Sequence, residues 1–79
     1  MMCLERNAVK KFKKNCTKEV LKRIENSIAK IEKNPYGYGK LKTNQRSARC
    51  GKYRIIYSII GGAVIIDNIG NRSNVYNSL

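Results

Sequence analysis

The stretch "GKYRIIYSIIGGAVIIDNIGNRSNVY", residues 51–76, decides the fold. Two runs rich in β-branched and aromatic residues, Tyr53 to Ile60 and Ala63 to Ile69, flank Gly61 and Gly62 and read as strands. A two-residue Gly-Gly loop suits a type I′ hairpin, whose central positions both need positive φ. That loop implies a register with Ile60 opposite Ala63, Ser58 opposite Ile65, Ile56 opposite Asp67 and Arg54 opposite Ile69, all on one face. Tyr53, Ile55, Tyr57, Ile59, Val64 and Ile66 share the other face, which is expected to receive the helices. Arg54 is the anomaly. A guanidinium inside a strand asks for a carboxylate, a solvent-facing cleft or a bound anion, because charge is rarely buried unpaired. The register makes Asp67 its diagonal neighbour, so an ion pair across the hairpin is one reading and an anion site is the other.

Upstream, the apolar period changes to that of helices. Asn7 is placed to cap a short helix with Ala8, Val9 and Phe12 on one side and Lys10, Lys11, Lys13 and Lys14 mostly outward, ending near Asn15. Thr17 is placed to cap a longer one, with Glu19 in its first turn and Val20, Leu21, Ile24, Ile28 and Ile31 along one stripe. Pro35 disfavours helical geometry at Asn34, and "NPYGYGKLK" (34–42) reads as a surface loop in which Tyr36 and Tyr38 pack. Ser47 to Cys50 is a further short strand. The expected fold is α+β, with two N-terminal helices packed on a small antiparallel sheet, in one domain covering residues 1–79.

Composition narrows the function. Seventeen Lys and Arg against five Asp and Glu leave a formal charge of +12, which favours polyanionic partners such as nucleic acid or acidic protein segments. A hydrophobic fraction of 42% is that of a folded domain rather than a basic tail. The chain has no histidine, which excludes a Ser-His-Asp triad, a Cys-His pair and any two-histidine nuclease mechanism. Three widely spaced cysteines, Cys3, Cys16 and Cys50, suggest neither a disulfide framework nor a zinc site. Neither a metal nor another cofactor is expected. No apolar run approaches a membrane span, and "MMCLERNAVKKF" lacks the apolar core of a secretory signal, so a cytoplasmic location is expected.

The motifs "NPYGYGKLK", "ARCGKYRIIYSII" and "IGNRSNVY" together resemble the RelE/ParE superfamily of toxin–antitoxin toxins. The most specific part is the pair Gly51-x-Tyr53-Arg54-Ile55-Ile56-Tyr57 and Gly70-x-Arg72-x-x-Val75-Tyr76, separated by one hairpin. The resemblance implies a small basic ribonuclease that cuts mRNA in the ribosomal A site and is held in check by a small acidic antitoxin, RelB-like in kind. It implies Arg54, Arg72 and Tyr76 as catalytic residues and Arg49 as a further basic position. Ser47 stands where many active members carry Lys or Arg, with Arg46 adjacent. A ParE-like inhibitor of DNA gyrase, or a weakened RNA-binding relative, is the alternative on the same fold.

The chemistry suits such residues. A 2′-hydroxyl nucleophile needs a base, an acid for the leaving 5′-oxygen, and cations around the phosphate. Guanidinium groups supply the last as planar, permanently charged forks. Tyr76 is the candidate for proton transfer or for stacking on a base. Arg46, Arg49 and Lys52, with Lys10, Lys11, Lys13 and Lys14, are candidate RNA-phosphate contacts. The ordinary readings are a solvated charge at Arg72, an aromatic plug at Tyr76 and a wet helix face for the lysine run.

Overall fold

A computed structural model describes residues 2–71. Strand β1 (Met2–Glu5) leads directly into helix α1 (Asn7–Asn15), followed by α2 (Lys18–Lys33), a 3₁₀ turn (Pro35–Gly37), and strands β2 (Gly39–Lys40), β3 (Gln45–Cys50), β4 (Tyr53–Ile60) and β5 (Ala63–Asn71). The helix ends follow local chemistry. Thr17 Oγ1 accepts a hydrogen bond from the Val20 amide at 3.2 Å, fixing the start of α2. Its end comes before Asn34, whose φ of −148° leaves the helix as Pro35 requires. Asn7 is the first residue of α1 rather than its cap: Arg6 occupies the cap position and makes no side-chain capping bond.

The five strands form one sheet in the order β1-β5-β4-β3-β2. The α+β architecture is as expected, with one refinement. The helices lie between strands, and β1 pairs with β5 in parallel, so the sheet is mixed. The remaining pairs are antiparallel. Gly61 and Gly62 have φ of 55° and 79°, as a type I′ turn needs. Gly51 has φ of 59°, the geometry wanted at the first central position of the β3–β4 turn.

Both helices cover one sheet face. Val9, Ile24, Ile28 and Ile31 pack there with Ala48, Cys50, Ile55, Tyr57, Val64, Ile66 and Ile69. The Tyr57 hydroxyl reaches under the sheet edge to donate to the Pro35 carbonyl, anchoring the loop after α2.

The expected β4–β5 register holds from the turn as far as Tyr57 opposite Ile66 and then slips by one. Beyond a bulge, Ile56 faces Asn68 and Arg54 faces Gly70, not Asp67 and Ile69. The spacing of apolar residues explains it. Strict alternation from Val64 and Ile66 would put Asn68 into the core, whereas one extra residue returns Ile69 to the inner face beside Ile55. Asp67, on the opposite side, is satisfied by the Arg6 guanidinium at 2.8 Å, by the Ser58 hydroxyl and by the Gln45 amide. Its ion pair is therefore with Arg6, not Arg54.

Among the described residues no helix is long and apolar enough to cross a membrane.

Candidate anion site beside the β3–β4 turn

Arg54 faces away from the helices, because its neighbours Tyr53 and Ile55 both pack on the helix side. Directly across the ladder from it stands Arg49. Two like charges opposite one another on an antiparallel pair normally cost stability, on the order of 0.2–1 kcal/mol. Among the described residues no carboxylate lies within ion-pairing distance of either arginine: the ion pairs join Arg6 to Asp67, Lys13 to Glu5 and Glu25, and Arg23 to Glu19. Arg54 is half-buried; its Nη1 makes a long, 3.5 Å contact with Ser47 Oγ, and its enclosed Nε has no hydrogen-bond partner among the described residues. A buried donor left unpaired costs roughly 1–3 kcal/mol. An anion between the two forks would relieve both penalties.

The other expected contacts divide. Arg46 is committed to the loop after α2, donating to the carbonyls of Tyr36 at 3.2 Å and Tyr38 at 2.7 Å, with its guanidinium 5.4 Å from the centre of the Tyr36 ring. Lys52 lies 5.5 Å above the Tyr53 ring at the turn next to the arginine pair. On α1, Lys10, Lys11 and Lys14 are exposed. Lys13 instead bridges Glu5 at 2.9 Å and Glu25 at 3.7 Å. Burial, the largest influence on it, pulls its pKa down, but the two carboxylates outweigh that and leave it raised. Arg72 and Tyr76 lie outside the described residues.

Two depressions, of about 380 and 470 Å³, flank Tyr53 on the helix side, and a third, of about 420 Å³, lies between Leu4, Asn7 and Ile65; neither Arg49 nor Arg54 lines any of them. A phosphate at Arg49 and Arg54 would be met on the sheet surface, so the arrangement suits a polymer lying across it better than an enclosed small molecule. Among the described residues no cluster of three or more His, Cys, Asp or Glu side chains is arranged to hold a metal ion. The polar group around Asp67 was not anticipated, since Arg6 reaches it only through the parallel β1–β5 pairing.

Comparison with solved structures finds the same fold at low identity in RelE toxins, among them the following. The RelE of the Methanococcus jannaschii RelB–RelE complex is 21% identical with a TM-score of 0.73, covering 96% of this chain and 98% of that one. RelE of the Pyrococcus horikoshii RelE–RelB complex is 20% identical with a TM-score of 0.75, over 94% and 97% of the two chains. Isolated Escherichia coli RelE is 15% identical with a TM-score of 0.76, over 98% and 92%. No curated protein matches. The family model for the ParE toxin of type II toxin–antitoxin systems matches residues 5–76. With nearly the whole chain matched to that family and its fold shared with RelE, the protein belongs to the RelE/ParE family of type II toxin–antitoxin toxins.

Proposed function

We propose that this toxin blocks translation by cutting mRNA in the ribosomal A site, as a metal-independent endoribonuclease. The observation that carries this is the opposed pair Arg49 and Arg54, with no carboxylate beside it and a guanidinium nitrogen left unpartnered among the described residues. In the reaction the RNA 2′-oxygen attacks phosphorus and the 5′-oxygen leaves. Arg54 and Arg49 hold the non-bridging oxygens and oppose the charge that builds on them, an effect worth on the order of 100-fold or more per donor. Arg72 adds a further guanidinium, and Tyr76 takes part in moving the proton that the 2′-hydroxyl loses and the leaving 5′-oxygen gains, the roles that the resemblance implies. Without histidine, intrinsic acid–base power is weak. The ribosome therefore supplies alignment, an entropic contribution of several kcal/mol.

The partner that restrains it is an acidic antitoxin of the RelB kind. RelE relatives of this fold have been solved as complexes with RelB, and the net charge of +12 here favours an acidic partner. A gyrase-inhibiting reading is favoured by two observations, the match to the ParE model and the uncharged Ser47 beside Arg54. One experiment separates them. After induction in cells, mRNA 5′ ends are mapped: cuts in frame with translated codons support the nuclease, whereas loss of plasmid supercoiling without such cuts overturns it in favour of gyrase.

A further inference from the structure

Tyr36 does not pack into its loop as expected; it is 61% exposed, while Tyr38 turns inward to make an edge contact with Tyr57 at 6.3 Å. Exposed tyrosines are common, but the backbone on either side of this one is tied down. The carbonyl before it accepts from the buried Tyr57 hydroxyl, and its own carbonyl accepts from Arg46. The same guanidinium, pinned again by the Tyr38 carbonyl, lies against the Tyr36 ring. Exposed Lys40, at the end of β2, and exposed Lys42 follow, and a small depression of about 110 Å³, lined by Tyr36, Thr43, Asn44, Arg46 and Ile59, lies beside the ring.

We infer that Tyr36 is a stacking platform for a nucleobase of single-stranded RNA, with Lys40 and Lys42 contacting the adjoining phosphates. This rests on the RNA-directed reading above. A rigid aromatic face loses little conformational freedom on binding, and flanking cations keep a charged backbone near it. Arg46, committed to the loop carbonyls, fixes the platform instead of contacting phosphate. A protein partner would need a broader apolar patch than one ring and Leu41 provide.

The test is equilibrium binding of a fluorescently labelled single-stranded RNA of about ten nucleotides, a length within the site sizes of single-strand binders. Tyr36→Ala should weaken binding roughly 5- to 150-fold, the range for one stacked base, with the salt dependence unchanged. Tyr36→Phe should bind like wild type, because stacking needs the ring and not the hydroxyl. Lys40→Ala and Lys42→Ala should each make the salt dependence shallower by about one unit. All four variants are at exposed positions and should melt like wild type. Wild-type affinity in folded Tyr36→Ala, or equal loss in Tyr36→Ala and Tyr36→Phe, overturns the inference alone. Failure of the wild type to bind the RNA also overturns the inference, whereas the RNA-directed reading itself stands or falls on the mapped mRNA 5′ ends.

Discussion

At the scale of single residues, Arg54 and Asp67 exchange the roles that simple pairing across the hairpin suggests. Asp67 accepts three hydrogen bonds, from Arg6, Ser58 and Gln45, and so is structural. Asp67→Ala should lower stability by about 1–3 kcal/mol, because it leaves the partly buried donors of Ser58 and Gln45 unpaired. Thermal or urea melting measures this. Arg49→Ala should behave in the opposite sense. Removing one of two facing cations should leave the melting temperature unchanged or raise it, by the equivalent of about 0.2–1 kcal/mol, while reducing toxicity. A marked fall in melting temperature would show that Arg49 has a stabilising partner.

Among the elements, the helices and the strands near the hairpin turn were legible because short-range chemistry specifies them. Thr17, Pro35 and the Gly61–Gly62 pair each act within a few residues, and the structure obeys each. The bulge was legible in principle: Ile66 and Ile69 are three apart, which no regular strand can place on one face. Period-two counting from the turn overlooked it. Arg6 was beyond reach, since its contact depends on β1 lying parallel to β5, a pairing of segments about sixty residues apart. The same dependence hides what Arg46 does, because the carbonyls that it holds belong to a loop whose path Tyr57 fixes from the core. Tyr57→Phe therefore tests the coupling of loop to sheet. It should cost about 1 kcal/mol or more by leaving the Pro35 carbonyl unpaired, and hydrogen exchange in residues 35–40 should speed up.

On the scale of the whole molecule, burial shapes the response to pH. Desolvation pushes the Cys3 thiol from 9.0 up to about 11, with Glu32 and Glu5 adding to the effect. Desolvation also raises the Tyr57 hydroxyl from 10.0 to about 12, against the opposing charge of Arg46. Both groups are held in their neutral forms, so their contribution is complete below pH 9 and is lost as pH climbs through 11 to 12. Melting temperature should accordingly be flat near neutrality in this respect and fall in that alkaline window. Cys3 should also resist alkylation at pH 8, where little thiolate forms.

Across the molecule, four of the five side-chain carboxylates are tied to Arg6, Lys13 and Arg23, and among the described residues none pairs with Arg49 or Arg54, which leaves those two to serve an anion. The most direct test is growth after induction of Arg54→Ala, with Arg54→Lys beside it and melting temperature confirming that both are folded. Arg54→Ala should be non-toxic and as stable as wild type; Arg54→Lys, which keeps the charge but loses the fork, should fall between the two. Full toxicity in a stably folded Arg54→Ala would contradict the account.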